Sequence, residues 1–560
     1  MEKTKRYIFA DCETNPFKRG DTYSPYIFGA YCAEYQPKKK RFLKHRTFDT
    51  FETVKDFVDF ASKRPSVCYF HNGGKFDYFF LLKYIEGEVM FIQNRLARFG
   101  IGECEFRDSY NIIPIGLAKY KKDDFDYSLL NDYKANKEQV IKYLRNDCVY
   151  LSEMVIHFVE NYGTKLTIAS SALNIWAKMC GYHKSLYKTS SFDYDRLFRE
   201  YYFGGRVECA KLGDIKADLK CYDINSSYPF AMMHKHPWGY VFHDGKNQKI
   251  QGKSFVKLVC VSRGALCRRN ERGETVFDND GVKREYKTTG WEYIAGVELG
   301  LLEDVEILWV MTHTDEIDFC AYVDRFYEQK KNSVNGSLEY ISAKLFQNSL
   351  YGKFGQDFTA FEEFFVSSEC KKYLSVDGKE ERKRFEFSQQ ISTEKYLYAR
   401  DADEGEFFNV AIAASITGFA RAYLLRAIKN SRGFVYCDTD SVFCESLECL
   451  KSDTELGAWK CEGEFDRMII CGKKLYCAFP KNPKVKHKIA CKGVKLTSKD
   501  FEKMACGETV IYDRETPSIN MKRGEISYLT RAVKMEGVEA VKNKSLKNIK
   551  IGVDVAQGNW

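Results

Sequence analysis

Between two apolar runs the chain reads YCDTDSVF, residues 436–443, which puts Asp438 and Asp440 one residue apart in what is otherwise a strand–turn–strand. Carboxylates this close repel, and they cost stability unless something positive stands between them. Water, an arginine or a metal ion could serve. Asp, Thr and Ser also favour turns, so the segment taken alone reads as a hairpin turn. A partner carboxylate on another strand changes that balance. CYDINSSYP offers one, because Asp223 follows a short apolar strand and precedes Tyr228-Pro229. Two strand ends that each present an aspartate can hold hard cations such as Mg²⁺ through oxygen. Two such ions can clamp the attacking and leaving oxygens of a phosphoryl transfer.

A length of 560 residues is too long for one core, so several subdomains are expected. Hydrophobic content of 44%, aromatic content of 15% and only 10 prolines describe a folded chain rather than a disordered one. The formal charge of +9 is compatible with nucleic acid without establishing it. None of the 20 cysteines has CxxC spacing, so no zinc ribbon is indicated. The start turns polar too soon for a signal peptide. No apolar run is read as reaching the roughly 18–20 residues of a membrane span. These features predict free thiols in a reducing, intracellular compartment and no membrane partner.

Strands alternating with helices predict an α/β domain over residues 1–165. KRYIFADCET reads as a strand, Tyr7 to Ala10, that delivers Asp11 and Glu13. VCYFHNGGKFD is a second apolar run ending in a glycine turn. ANKEQVIKYLRNDCVYLSEMVIHFVENY reads as a long helix opened by a capping-box-like pair, Asn136 and Gln139. Residues 166–200 read as a linker, and strand-rich sequence follows from about 201. The charged stretch 366–406 interrupts the periodic pattern and reads as an inserted hairpin or loop. NVAIAASITGFARAYLLRAI reads as a helix packed into the body. In SAKLFQNSLYGKFG, Lys344, Asn348 and Tyr351 fall at i, i+4 and i+7 and share a helix face, with Gly352 ending the helix. Such a face is either a solvated one that carries a lysine or one that holds a triphosphate and a base.

DINSSYP, KLFQNSLYG and YCDTDS, in this order, resemble the three polymerase motifs of family B DNA polymerases. DCETN, YFHNGGKFD and YLRND resemble the three motifs of the family's 3′–5′ exonuclease domain. YFGG (Tyr202 to Gly205) resembles its tyrosine-x-glycine-glycine linker, and KKLY (473–476) its lysine-x-tyrosine element. Single motifs of this kind are weak, but eight in order are strong. Within the family the likeness is to the protein-primed polymerases of small phages with linear genomes, given the compact length and two long intervals at 240–320 and 356–408. Ser227 stands where leucine is usual, HNGGKFD carries an extra glycine, and little after residue 500 can be matched.

The resemblance implies a ribonuclease-H-like exonuclease domain over 1–165. A right-hand polymerase domain of palm, fingers and thumb follows over 201–560, with insertions at the two intervals. It implies two Mg²⁺ or Mn²⁺ ions per active site and deoxynucleoside triphosphates as substrates. Asp223, Asp440 and the Ile224 carbonyl would be metal ligands in the palm, with Asp438 beside them as a ligand or a supporting group. Lys344 and Lys331 (or Lys330) would contact the triphosphate, with Asn348 and Tyr351 on the same face. Tyr228 would exclude a 2′-hydroxyl. In the exonuclease site, Asp11, Glu13, Asp77 and Asp147 would hold metals and Tyr143 would help orient water. Lys122 and Asp124 would form an auxiliary pair. Thr14, His71, Asn72, Phe76 and Ser109 would grip the frayed primer end. Tyr202, Gly204, Gly205, Arg206, Lys474 and Tyr476 would track the duplex, with Arg206 and Lys474 as phosphate contacts that fix position without reading sequence.

The implied function is DNA-directed DNA synthesis with proofreading and strand displacement from a protein primer. The partners would be template and primer DNA, a terminal protein, and single- and double-stranded DNA-binding proteins. The chain would act as a monomer or as a heterodimer with the terminal protein, in the host cytoplasm, encoded by a phage or plasmid. The rival readings are a nucleic-acid-primed family B polymerase, a DNA-binding scaffold with dead sites, and a stand-alone nuclease. Every matched acid is present, which disfavours the scaffold, and the nuclease leaves residues 200–480 unexplained.

Overall fold

A computed structural model of the chain describes residues 4–16, 23–180, 192–243, 249–357, 361–377, 382–402, 409–449, 451–514, 516–535 and 537–540. Parts of the sequence readings for 181–191, 403–408 and the tail beyond 540 lie outside these residues.

The apolar run expected at Tyr7–Ala10 is the middle of β1 (Lys5–Thr14). It is buried because it has sheet neighbours on both edges. It pairs antiparallel with β2 (Pro25–Gln36) and parallel with β4 (Ser66–Phe70), and β2 pairs with β3 (Arg41–Phe51). α1 (Val54–Ser62) starts at Thr53, whose hydroxyl accepts from the Asp56 amide. After α2 (Tyr78–Leu81), strands β5 (Gly87–Ile92), β6 (Arg95–Ile101) and β7 (Cys104–Asp108) continue the sheet on the β4 side. The long helix forms as α3 (Lys137–Tyr162) and lies on β1 and β2. It approaches so closely at Gly29 that a β-carbon there would stand 2.9 Å from the Leu144 side chain. The expected capping box is absent, because the Asn136 amide turns back to the carbonyls of Leu129 and Asp132.

The stretch read as a linker contains two helices, α4 (Ile168–Met179) and α5 (Phe192–Arg199). Trp176 of α4 is fully buried between Phe319 and Phe354, so this segment is core rather than tether. The chain then forms β8 (Val207–Cys209), β9 (Gly213–Ile224) and α6 (Ser227–Met232). The first long interval is a packed element. β10 (His236–His243), β11 (Phe255–Ser262), β14 (Lys283–Thr289) and β15 (Leu302–Ile317) form a sheet in the order β10-β15-β11-β14. It carries a small ribbon of β12 (Cys267–Arg269) and β13 (Thr275–Phe277), and the helix α7 (Gly290–Glu298).

α8 (Cys320–Asn332) and α9 (Leu338–Phe354) pack together and against α3 and α4. α9 runs two residues past Gly352 and stops at Gly355. The charged second interval is neither a loop nor a lone hairpin. β16 (Glu362–Ser367), β17 (Tyr373–Asp377), β18 (Arg382–Ser392) and β19 (Lys395–Asp401) extend the first sheet. Phe364 of β16 pairs with Val89 of β5, giving eleven strands in one sheet.

α10 (Val410–Lys429) corrects the reading of apolar runs. It is long and apolar enough to cross a membrane by length and composition, and 83% of its apolar window is buried inside the protein. β20 (Ser431–Arg432) pairs with β23 (Ser446–Leu447). β21 (Tyr436–Asp438), β22 (Ser441–Cys444), β24 (Trp459–Gly472), β25 (Leu475–Pro480) and β26 (Lys488–Cys491) complete a sheet ordered β26-β25-β24-β9-β22-β21-β8. α11 (Ser498–Ala505) follows. The C-terminal part folds as the sheet β27 (Val510–Asp513), β30 (Thr530–Lys534), β31 (Gly537–Ala540), with an inserted hairpin β28 (Ser518–Asn520)–β29 (Glu525–Ser527). Ile519, Met521 and Tyr528 of this region join the core formed by β1, β4 and β16.

Candidate active sites

β9 carries Asp223 one residue before its end, and Asp440 sits in the tight turn joining β21 to β22, next to it in the sheet. Ser441 pairs with Asp223, and the Ile224 amide donates to the Asp440 carbonyl at 2.8 Å. The turn is tight because the Asp440 amide bonds Asp438 O and Thr439 takes a positive φ of 58°. Burial and then Asp440 push the Asp223 carboxyl up to about 7, and burial and then Asp438 push Asp440 up to about 6. Asp438 is paired within the protein. Lys474 Nζ donates to its Oδ1 at 2.8 Å. The positive group beside the first carboxylate is therefore a lysine, while Asp440 and Asp223 carry an unmet demand for a cation.

Tyr228, on α6, stacks on Tyr351 of α9 with centroids 4.2 Å apart and planes 17° from parallel. Lys344 and Asn348 are exposed on the same helix, and the Lys344 charge lowers the Asp223 carboxyl. Asn348 donates to the Lys344 carbonyl. The two candidate lysines of α8 are distinguished: Lys330 Nζ donates to Ser226 Oγ at 3.2 Å and feels the Lys344 charge, whereas Lys331 is exposed.

A second acidic site lies over β1. Asp11, Glu13 and, from α3, Asp147 bring their oxygens within 4.8 Å of one another, the one such cluster among the described residues. Asp147 Oδ1 is buried without a partner. Burial and the neighbouring acids raise Asp11, and push Glu13 up to about 8. Asp77 is turned aside, its Oδ1 accepting from Cys12 Sγ at 3.1 Å. Tyr143 meets the hydroxyl of Tyr127 at 3.1 Å, and Lys122 lies over both rings. The acids open into a cavity of about 690 Å³, which Thr14, His71, Asn72 and Phe76 also line. Ser109 is fully buried and stands behind it, with Oγ 2.9 Å from His71 Nδ1. Asp124 is exposed and outside the cavity; its neighbour Asp123 is held by Asn146 and Tyr150.

The YFGG segment abuts the palm turn. A β-carbon on Gly205 would stand 2.7 Å from the Thr439 side chain. Gly204 presents its carbonyl to Arg421 of α10, at 2.8 Å. Tyr202 packs close against Gly355. Two expected DNA contacts are instead internal. Arg206 is 4% exposed, pairs with Glu208, and donates to the Gly264 carbonyl, so it fastens this segment to the first insertion. Tyr476 is 6% exposed and packs edge-on against Phe443.

Residues 117–434 match the family described as DNA polymerase type B, organellar and viral. The chain belongs to that family.

It is 32% identical over 500 residues to the DNA-directed DNA polymerase of Enterobacteria phage PRD1, covering 88% of this chain and 86% of that one. It is 26% identical to the DNA polymerase of Streptococcus phage Cp-1, over 87% and 90% of the two chains. Its fold is similar to that of phi29 DNA polymerase complexed with primer-template DNA and incoming nucleotide. The TM-score is 0.70 at 17% identity, over 95% of this chain and all of that one. This type B polymerase is therefore an enzyme of DNA-directed DNA synthesis, with an α/β exonuclease-plus-right-hand fold.

The donor chemistry of both sites suits a divalent metal. The ligands are hard oxygens, their burial and mutual repulsion outweigh the nearby lysines, and one buried carboxylate oxygen is orphaned. Several residues around them gave no signal in the sequence. Glu462 occupies a bulge of β24, between Cys461 and Gly463, and its charge raises both Asp223 and Asp440, while Lys488 lowers Asp223. Arg421, buried with Glu292 in an ion pair of 2.7 Å, also donates to the carbonyl of Phe203. Only the charge of an otherwise apolar helix could have flagged it.

Proposed function

We propose that this polymerase replicates a linear genome from a protein primer, with proofreading and strand displacement, inside the host cell. The observation that carries the two-activity reading is the pair of separate acidic sites, one at the β9/β21–β22 junction and one over β1.

In the polymerase site, Asp223, the Ile224 carbonyl and Asp440 would hold the metals, and Asp438 would position Lys474 beside the primer strand. Lys344 and Lys330 would face the triphosphate, and Tyr228, braced by Tyr351, would lie under the deoxyribose. Two Mg²⁺ or Mn²⁺ ions per site, when bound, would neutralise charge on the phosphates and make the attacking oxygen more acidic. In the exonuclease site, Asp11, Glu13 and Asp147 would be the ligands, with Asp77 completing the set after leaving Cys12. Tyr143 would orient the attacking water, and Lys122 would hold the scissile phosphate. Phe76 and His71 would receive the last bases. Tyr202, Gly204 and Gly205 would pass the duplex to Lys474. The domain limits 1–165 and 201–560 stand as part of the proposal, with α4 assigned to the packed interface between them.

The direct test is primer extension with and without a candidate terminal protein. Transfer of the first nucleotide to a protein hydroxyl supports protein priming. Extension from nucleic acid alone, with no labelled protein product, favours the nucleic-acid-primed alternative. Asp11→Ala with Glu13→Ala should abolish 3′–5′ degradation of single-stranded DNA and leave nucleotide addition. Loss of both activities in a folded variant would refute two separate sites.

A further inference from the structure

We propose that the β2–β3 hairpin is a sequence-independent holding site for a nucleic-acid strand, outside both active sites. Residues 38–46 read KKKRFLKHR: six of nine are Lys or Arg and none is acidic. The chain's formal charge is +9, so without these six it would carry only +3. Most of the net positive charge of the protein is thus concentrated on one turn and the first half of β3.

Four of the six cations are free to meet a ligand. Lys38, Lys40, Arg41 and Lys44 are exposed, and among the described residues they make no ion pair. Among the acids nearby, Glu34 pairs with Arg64 and Glu52 with Lys137, while Glu160 of α3 accepts from the Phe42 amide at the base of the hairpin. Lys40 adds a separate observation. It sits at the tip with a φ of 51°, a conformation that glycine or asparagine adopts at lower cost. A lysine kept in a strained turn position fits a role for its charge better than a role in the fold.

Placement indicates which strand is held. The base of the hairpin is rigid, with the rings of Tyr35 and Phe42 4.8 Å apart in the core, and with Phe42 tied to Glu160 of α3. Two residues on, Tyr162 packs 4.5 Å from Phe346 of α9 and accepts from Gln329 of α8. Arg325 of α8 is exposed beside it. Through α3 the hairpin is therefore braced on the helices that carry Lys330 and Lys344, with the exposed Arg325 at the joint. The YFGG and Lys474 elements, proposed to hold duplex, lie on the palm sheet instead. A single strand passing the fingers, template or displaced, is the ligand this geometry fits. Only the identity of that strand rests on the polymerase reading; binding of phosphates by the hairpin does not.

The test is binding of the full chain, without divalent metal so that nothing is degraded, to a primer-template with a long single-stranded 5′ overhang and to one with none. For Lys38→Gln/Lys40→Gln/Lys44→Gln, removing three phosphate contacts should flatten the log–log salt dependence by about two on the overhang substrate. Binding of the substrate without overhang, and extension of a short primer, should not change. An unchanged slope on the long overhang overturns the proposal. A loss confined to retention of an acidic protein partner, with DNA slopes intact, also overturns it and reassigns the hairpin to protein recognition.

Discussion

Lys474 Nζ stands 2.8 Å from Asp438 Oδ1, so the two aspartates of the YCDTDS turn are chemically unequal. Asp438 has its counter-charge within the protein, while Asp440 lies beside Asp223 in the sheet and is pushed up to about 6 by burial and by Asp438. Asp440→Asn should therefore abolish nucleotide addition. Asp438→Asn should cost on the order of tenfold, because a charge-assisted bond of about 1.5–3 kcal/mol is discounted by the exposure of Lys474. Single-nucleotide incorporation kinetics distinguish the two. Equal losses would show that Asp438 holds metal as directly as Asp440.

The raised carboxyls make a prediction about pH. Asp223 is pushed up to about 7, Asp77 to about 6 and Glu13 to about 8, in each case first by burial. Unfolded carboxyls titrate near 4. Between pH ~4 and ~8 the folded, metal-free protein then binds more protons than the unfolded chain, so these groups lose stability as pH rises through that window. In a chelator, Asp223→Asn with Glu13→Gln should raise Tm at pH 8 relative to the parent, and the gain should shrink at pH 5. Mg²⁺ should stabilise the parent more than this variant at pH 8. A gain that is the same at both pH values would show that the acids are not under mutual strain.

Tyr228 stacked on Tyr351 predicts sugar selection that depends on both rings. Tyr228→Val should raise ribonucleotide incorporation relative to deoxyribonucleotide. Tyr351→Leu should do so more weakly, since an aromatic pair contributes about 0.5–1.5 kcal/mol of placement. Ratios from single-nucleotide kinetics that stay at the parent value in both variants would remove the steric gate from this position.

What could be read from the sequence follows a physical division. Asp11 with Glu13, Asp223, and Asp438 with Asp440 stand at strand ends or turns beside apolar runs, so their placement is local and their motifs keep spacing. Lys330 against Lys331 is a question of helix phase by one residue, which a lysine pair cannot settle. Arg206 looked like a surface cation in YFGGRVE, but its burial depends on Gly264, 58 residues away. Glu462 reaches the palm through a bulge, and bulges follow from pairing rather than composition. The second insertion was hardest: its charged residues face solvent along strands, while Phe364, Val366, Ile391 and Leu397 enter a core shared with β1 and β4.

That shared core governs how the insertion can be tested. Cutting it out whole would take Phe364 and Leu397 out of the shared core and bare the β5 edge that β16 covers, so loss of activity would mean little. The outer half is separable. Leu374 and Phe385 are directly opposed in the β17–β18 pair, so replacing residues 375–384 with Asn-Gly closes the hairpin by a two-residue turn. The base stays fastened by Lys395 and Ser367 on Glu86, and by Lys522 on Glu362 from the C-terminal region. If the protruding half guides DNA, the shortened enzyme should extend a short primer at the parent rate and release long duplex templates sooner. Strand displacement from one binding event would then fall several-fold. Product lengths under a trap for free enzyme measure this directly. Unchanged lengths, with Tm preserved, would make the outer hairpin a passive extension and leave the guiding of DNA to other surfaces.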